Sequence, residues 1–165
     1  MTNKITSLAQ DIIDKFGEKN LSLAGAESCT GGAVASAIVS ISGASKIFKG
    51  SAVCYCDNAK CDILKVSKST LEKFFAESKE CAEEMAKGAL NIYKADIAFA
   101  TTGFLDANVG LKTTDLAGIV FLAIAKKSGE VYTKKIILNP LNQRNENRTK
   151  CVIETLQEIL NKSKL

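Results

Sequence analysis

The sequence predicts a three-layer α/β/α sandwich around a mixed, mostly parallel sheet with a C-terminal hairpin. Three observations support this prediction. Helices and strands alternate along the first part of the chain, the run DIAFATTG at 96–103 is almost continuously apolar, and the turn KKSG joins two further apolar strands. A continuous apolar run is typical of a strand that helices cover on both faces. With 165 residues, 46% of them hydrophobic, residues 1–165 are predicted to form one domain.

The first elements follow from apolar periodicity. Residues 4–16 have apolar side chains at helical spacing and stop at Gly17, a residue that often ends a helix. The extended run LSLAGA at 21–26 predicts a strand. The Ala-, Ser- and Gly-rich segment after it predicts a tight turn near Ser28 and then a helix that lasts to about Ile41.

The middle of the chain predicts a strand and three helical segments. The segment GSAVCYCD predicts a strand over 50–57, and the short sequence NAKCDIL after it is helical. A second helix starts at Ser67. A longer helix from about Ser78 to Tyr93 has apolar residues along one side.

The last part predicts the rest of the sheet and a closing helix. After strand 96–103, strands 118–125 and 130–138 flank the turn KKSG as a hairpin. The lysines of the last strand alternate outward, as is typical of an edge strand. A helix over about 145–162 ends the chain.

The composition excludes several classes of function. The sequence contains no histidine, which excludes Ser-His-Asp and Cys-His catalysis and histidine-bound zinc. Its net charge of +4 is spread along the chain without a basic block, so nucleic-acid binding is not expected. No apolar run is long enough for a membrane span, and no signal-peptide pattern is present, so we expect a cytoplasmic protein.

The six cysteines do not form a metal-binding pattern. The run C54-Y-C56-x4-C61 lacks the usual zinc-ligand spacing. Small buried thiols are therefore the preferred interpretation, and no metal is expected.

The sequence A26-E27-S28-C29-T30-G31-G32 is the first candidate site, because ligands collect where a strand ends and a helix begins. Thr30 supplies a hydroxyl, while Gly31 and Gly32 allow a ligand close to the backbone. Ser28 and Cys29 are the two candidate nucleophiles. A simpler interpretation is a small-residue turn that opens a tightly packed helix.

A nucleophilic Ser28 needs a base, and without histidine a buried lysine is the plausible one. Lys60 stands out among the lysines because it follows the end of the predicted strand 50–57, in the sequence YCDNAK. Tyr55 and Asn58 lie in the same short segment. An ordinary surface lysine is the alternative interpretation.

A pair of arginines is the last unusual feature. Of the 22 basic residues 20 are lysines, and both arginines, Arg144 and Arg148, lie four residues apart before the last helix. Planar guanidinium groups bind phosphate and carboxylate with two parallel hydrogen bonds. Two exposed arginines on a first helical turn are the alternative.

These motifs together resemble the C-terminal domain family of CinA, which includes stand-alone nicotinamide mononucleotide (NMN) deamidases. The resemblance rests on AESCTGG, SGAS, YCDNAK, a strand ending in TG and paired arginines before the closing helix, in this order over about residues 5–162. It implies hydrolysis of NMN to nicotinate mononucleotide and ammonia without a metal or cofactor. It also implies a homo-oligomer, a dimer or larger.

The resemblance also implies roles for single residues. Ser28 would attack the carboxamide carbon, Lys60 would accept its proton, and Tyr55 would hold the proton network or protonate the departing ammonia. Asn58 would orient Lys60. The implied substrate-binding positions are the backbone near Thr30, Gly31, Gly32 and Gly103, together with Arg144 and Arg148, which would bind the ribose phosphate or act across a subunit boundary.

One segment departs from the family pattern. Between Gly103 and Gly118 the sequence has neither the proline nor the double glycine of the family, and it has Asp106 and Asp115 where small residues are usual. The alternative function is therefore a paralogue that binds a nucleotide or hydrolyses a different amide.

Overall fold

The structure is a computed structural model in which residues 2–107 and 114–163 are described. These residues form a five-stranded sheet and six α-helices. The strands are β1 Leu23–Glu27, β2 Phe48–Val53, β3 Ile97–Gly103, β4 Ile119–Lys126 and β5 Val131–Ile137. The helices are α1 Thr2–Glu18, α2 Ala33–Val39, α3 Asp57–Asp62, α4 Lys68–Phe74, α5 Lys79–Tyr93 and α6 Arg144–Lys162, with 3-10 turns at Ala44–Lys46 and Thr114–Leu116.

The sheet has the strand order β2-β1-β3-β4-β5. Strand β1 pairs in parallel with β2 and β3, whereas β4 runs antiparallel to its neighbours β3 and β5. Four of these five strands point the same way, so the predicted mixed, mostly parallel sheet with a C-terminal hairpin is confirmed. The carboxyl ends of β1, β2 and β3 meet at one edge, which brings together the residues that follow them.

Helices cover both faces of the sheet, and the strand side chains differ in size between the faces. Ile97 and Phe99 of β3 lie in the core shared with α1, α2 and α6, whereas Ala98 and Ala100 face α5. Small side chains on that face let α5 pack closely against the strands. The predicted three-layer sandwich is therefore confirmed.

Three predicted boundaries are wrong. Helix α1 continues through Gly17, and the chain turns at Asn20, which has a positive φ of 53°. Strand β2 ends at Val53 rather than at 57, because Asp57 already begins α3. Helix α2 is shorter than predicted, since the residues after Ser28 form a separate turn.

The edge position of β5 is confirmed, but one of its lysines is not simply exposed. Lys134 donates hydrogen bonds to Glu154 and Glu158 of α6, at 2.9 and 2.8 Å. The bonds to Glu158 and Glu154 raise the pKa of Lys134. This lysine therefore ties the edge of the sheet to the last helix.

The predicted buried thiols are found for Cys29, Cys54, Cys81 and Cys151, whereas Cys56 is exposed and Cys61 is half-buried. Burial raises the pKa of Cys81 to about 12, so this thiol is uncharged at neutral pH.

Among the described residues, no helix is long and apolar enough to cross a membrane.

Gly88 lets α5 approach the segment that follows α3. A Cβ atom at this position would overlap the carbonyl oxygen of Leu64 and lie 2.8 Å from its carbonyl carbon. Helix propensity alone would make Gly88→Ala stabilising by about 1 kcal/mol. We expect the opposite, a net loss of about 1–3 kcal/mol in the free energy of unfolding, because two backbones are forced apart.

The matched control is Gly17→Ala, also inside a helix, where an added Cβ would have no neighbour within 4 Å. Its free energy of unfolding should stay unchanged or rise. Urea denaturation of both variants measures the difference. A Gly88→Ala protein as stable as Gly17→Ala would contradict the close approach of Leu64.

Candidate active site

Ser28 and Lys60 meet at the edge of the sheet where β1 and β2 end. Ser28 follows directly after β1, and Lys60 lies on α3, shortly after β2. Because these strands are parallel neighbours, both residues come to the same edge. The amine nitrogen of Lys60 lies 3.2 Å from the hydroxyl oxygen of Ser28. Ser28 is 8% exposed and Lys60 2% exposed.

The backbone between β2 and α3 orients the buried amine. Lys60 donates a second hydrogen bond, at 3.2 Å, to the carbonyl oxygen of Cys54. Asn58 is exposed on the first turn of α3, and within the described part of the chain no hydrogen bond joins its side chain to Lys60. The amine is therefore positioned by a main-chain carbonyl rather than by the Asn58 amide.

The turn after Ser28 presents backbone donors next to its hydroxyl. The N–H of Ser28 donates to Thr101 at 2.9 Å, and the N–H of Gly31 donates to the carbonyl of Ser28 at 3.0 Å. Within residues 2–107 and 114–163, no protein atom accepts a hydrogen bond from the N–H groups of Cys29, Thr30 or Gly32. Of these three residues, Gly32 is half-buried and Cys29 is 5% exposed, whereas Thr30 is fully buried and its N–H presents no surface to a ligand.

Glu27 is a site residue that the sequence analysis did not single out. Its side chain is fully buried, and its two carboxylate oxygens accept from four donors. These are the N–H groups of Val34 and Ala35 at 3.1 and 2.9 Å, and the hydroxyls of Thr30 and Ser51 at 2.7 and 3.3 Å. A carboxylate at a helix N-terminus is favourable because free N–H groups point at it. The available signal was an acidic residue at the end of an apolar strand, directly before a helix start.

The hydroxyl of Thr30 is already in use. It donates to Glu27 and accepts a 2.7 Å hydrogen bond from the hydroxyl of Thr101, and Thr30 is fully buried. Glu27, Thr30 and Thr101 thus form a buried chain that joins the ends of β1 and β3 to the start of α2.

The competing nucleophile Cys29 points into the core. It is 5% exposed and forms a hydrogen bond with Cys151 of α6. This hydrogen bond, together with complete burial, raises the pKa of Cys151 well above its usual value. Of the two candidates, Ser28 is the one beside the amine of Lys60.

A cavity of about 290 Å³ opens beside the turn. It is lined by Cys29, Gly31, Tyr55, Arg144, Asn145 and Arg148. Both arginines therefore lie on one cavity wall, although they were distant in sequence from the nucleophile turn. Gly31 is exposed and has a positive φ of 61°, a conformation in which glycine is favoured.

Arg144 and Tyr55 are joined across the cavity. Arg144 donates from Nη2 to the hydroxyl oxygen of Tyr55 at 2.8 Å and from Nη1 to Asp106 at 3.2 Å. Burial alone would lower the pKa of Arg144, but its bonds to Asp106 and Tyr55 raise it overall. Tyr55 is 63% exposed, and among the described residues no hydrogen bond connects it to Ser28 or Lys60.

Arg148 turns one nitrogen back to its own helix, donating to Asn145 at 2.7 Å.

Gly103, another expected substrate-binding residue, has a structural reason to be glycine. Its φ is 144°, and a Cβ there would overlap the carbonyl oxygen of Ile119 on β4. The close approach of β4 explains this residue without a ligand.

Comparison with known proteins identifies the family. The sequence model of the CinA C-terminal domain matches residues 5–163. The chain belongs to the CinA C-terminal domain family.

Solved structures of CinA-type proteins share this fold. Competence/damage inducible protein CihA from Agrobacterium tumefaciens is 35% identical, with a TM-score of 0.90 over 96% of both chains. Competence damage-inducible protein A (ComA) from Klebsiella pneumoniae is 28% identical, with the same TM-score and coverage.

Curated CinA-type relatives extend beyond the matched region. A CinA-like protein of Flavobacterium psychrophilum is 44% identical over 118 residues, which are 72% of this chain and 28% of that protein. The chain spans about a third or less of the length of such relatives.

The segment between Gly103 and Gly118 of this CinA-type domain is partly described. Asp106 lies in the connection after β3 and holds Arg144, whereas Asp115 is exposed on the 3-10 turn Thr114–Leu116. Residues 108–113 lie outside the described residues.

Proposed function

We propose that this protein is an amidohydrolase that converts NMN and water to nicotinate mononucleotide and ammonia, with Ser28 as nucleophile and Lys60 as base. The observation that supports the proposal most directly is the 3.2 Å distance between the Lys60 amine and the Ser28 hydroxyl oxygen. Both side chains are buried, and the cavity lined by the two arginines also contacts Cys29 and Gly31 of the turn that follows Ser28, although neither Ser28 nor Lys60 is among its lining residues. In a chain without histidine, a lysine in this place is the group that can activate the serine.

The first half of the reaction forms an ester on Ser28. The uncharged amine of Lys60 accepts the proton of Ser28 as the hydroxyl oxygen attacks the carboxamide carbon. Lys60 then gives this proton to the departing nitrogen, the carbon–nitrogen bond breaks, and ammonia leaves.

The second half repeats these steps with water. Lys60 takes a proton from water as the water oxygen attacks the ester carbon, and then returns that proton to the oxygen of Ser28. The products are the free serine and the carboxylic acid of nicotinate mononucleotide, which ionises to the carboxylate and gives its proton to the released ammonia. No other reactant is needed.

The open N–H groups of Cys29 and Gly32 are the proposed donors to the negative oxygen of the tetrahedral intermediate. Each well-placed donor of this kind contributes about 3–4 kcal/mol to stabilisation of the transition state. Of the backbone donors that the sequence suggested, Gly32 remains, whereas the N–H of Gly31 bonds to Ser28 and Thr30 is fully buried. Asn58 has no part in this scheme.

Tyr55 and the arginines form the proposed substrate wall. Arg144 and Arg148 would bind the phosphate, and Tyr55 would hold Arg144 through its hydroxyl. The role of proton donor to ammonia, suggested for Tyr55 by the resemblance, passes to Lys60 in this scheme, because Lys60 already lies on Ser28.

Release of ammonia tests the proposal. Purified protein is incubated with NMN, and ammonia and nicotinate mononucleotide are measured against a Ser28→Ala control. Equal amounts of both products are expected from the unchanged protein and none from the control. A well-folded protein that releases no ammonia from NMN would refute the proposed activity.

A second candidate is the hydrolysis of a different amide, and one observation favours it. Asp106 already occupies one side of Arg144, which reduces the capacity of this arginine for a phosphate. Ammonia release from nicotinamide riboside, but not from NMN, would select this alternative. A protein that binds neither NMN nor nicotinamide riboside would support neither NMN hydrolysis nor hydrolysis of the riboside.

Arg144→Ala is expected to raise KM for NMN by about tenfold with little change in kcat, because a contact to a remote phosphate is lost in ground and transition states alike. KM for nicotinamide riboside should change little. Steady-state kinetics with both compounds measures this difference.

Lys150→Ala is the matched control for Arg144→Ala. It removes a positive charge from the same helix, but Lys150 pairs with Glu146 and does not line the cavity. An unchanged KM for NMN in Arg144→Ala would reject the phosphate role.

The cytoplasmic location and the homo-oligomer stay predictions. Light scattering of the purified protein measures its oligomeric state.

A further inference from the structure

Asp106 places a negative charge directly on the proposed phosphate-binding arginine. Its carboxylate accepts from Nη1 of Arg144 at 3.2 Å, and its side chain is only 9% exposed, against 47% for Arg144. The arginine side chain therefore reaches solvent and the cavity, while its carboxylate partner is held behind it.

The charge of the cavity wall follows from the residues that form it. Arg144 and Arg148 contribute two positive charges, and the other described lining residues have no ionised carboxylate. Asp106 removes one positive charge from this balance. A phosphate monoester has a charge of about −1.5 to −2 at neutral pH, which two arginines match more closely than two arginines with a carboxylate beside them.

We propose that Asp106 is a specificity-determining residue that weakens binding of a phosphate dianion at Arg144. This inference rests on the proposed function. The carboxylate competes with the ligand phosphate for the same guanidinium group and repels it across a short distance. The site is thereby shifted towards substrates whose group at this wall is uncharged or singly charged.

The same contact between Asp106 and Arg144 would strengthen phosphate binding if Asp106 only held the arginine in place, and the test below distinguishes this role from the proposed one. Arg144 begins α6, where a positive charge is unfavourable, so Asp106 could act by holding the guanidinium in place. Removal of the carboxylate would then weaken phosphate binding. The two roles predict changes of opposite sign for one substitution.

The test is an equilibrium titration with NMN and with nicotinamide riboside, both in a Ser28→Ala background that cannot form the ester. Adding Asp106→Asn should lower the Kd for NMN by about three- to tenfold at low salt. The Kd for the riboside should not change. The gain for NMN should shrink as salt is raised, because ions screen exposed charges.

Asp115→Asn is the matched control, since it removes the same charge from the same segment without contact to Arg144. It should leave both Kd values unchanged. Asp106→Ser serves as a second uncharged variant, and thermal melting checks the fold of each protein. The Kd of the Asp106→Ser protein for NMN should fall, as it does for Asp106→Asn.

Three results would overturn the inference: a Kd for NMN that rises or stays constant, an equal fall for the riboside, or an equal effect of Asp115→Asn. Absence of measurable NMN binding in every variant would do so as well. The titration does not depend on turnover, so failure of the amidase proposal in the ammonia assay is a distinct outcome.

Discussion

Replacement of Lys60 by methionine is expected to lower kcat for NMN hydrolysis by about a thousandfold or more, because it removes the only base in contact with Ser28 among the described residues. Without this amine the hydroxyl must lose its proton to water, and the departing nitrogen has no adjacent proton donor. KM should change little, since the arginines on the cavity wall are untouched.

The Lys60→Met protein should remain folded. Methionine has a similar length, and its apolar side chain needs no hydrogen-bond partner when it is buried. The substitution removes the hydrogen bonds of Lys60 to the carbonyl of Cys54 and to the hydroxyl of Ser28, each worth about 1 kcal/mol. Circular dichroism checks the fold of the Lys60→Met protein, and thermal melting measures its stability.

Lys126→Met is the matched control for a buried lysine. Lys126 is also largely buried and pairs with Glu130 at 2.8 Å. It lies opposite Ile97, at the start of β3 and thus at the far edge of the sheet from Ser28. Its kcat should be normal. Near-normal turnover by Lys60→Met would instead reject lysine as the base.

Glu27→Gln is expected to reduce kcat by about ten- to a hundredfold and the free energy of unfolding by about 1–3 kcal/mol. The amide nitrogen of glutamine cannot accept a hydrogen bond, so donors among Val34, Ala35, Thr30 and Ser51 lose their acceptor. The turn that presents the open N–H groups then loses its anchor. Glu27 is a positioning residue, because it acts through this turn.

Glu84→Gln separates this role from a purely structural one. The carboxylate of Glu84 accepts from Ser67 and Thr70 at the start of α4, at 2.7 and 2.6 Å, and lies outside the site. Glu84→Gln should lower the free energy of unfolding by a similar amount to Glu27→Gln without changing the kcat of the folded protein.

The readout for Glu27→Gln is kcat measured well below the melting temperature of each variant. A fall in kcat with KM almost unchanged is expected, since the missing stabilisation concerns the transition state. Glu27→Gln with normal kcat and reduced stability would show that the carboxylate supports the fold alone.

Local pattern was sufficient for the fold class. The alternation of Ile97, Ala98, Phe99 and Ala100 requires two apolar surfaces, and the hairpin turn fixes the direction of the last strand. Boundaries were less predictable where the backbone bonds to distant groups. The tight turn after Ser28, for instance, is held by Thr101, so α2 begins later than its composition suggests.

Ser28, Lys60, Arg144 and Arg148 were candidates from residue type and from position at the ends of elements. Neither their separation nor their partners followed from that. Tyr55 was expected near the proton path, but the structure places its hydroxyl on Arg144. Asn58 was expected on Lys60, but the carbonyl of Cys54 takes that place.

The sequence alone determined the scaffold and limited the possible bases, because it contains no histidine and its apolar periodicity dictates which segments form strands and helices. Only the tertiary structure decided that Glu27 holds the turn, that Cys29 faces Cys151, and that Asp106 pairs with Arg144. The reason is physical. These contacts join residues on different elements, and their distances depend on how the sheet and helices pack rather than on spacing along the chain.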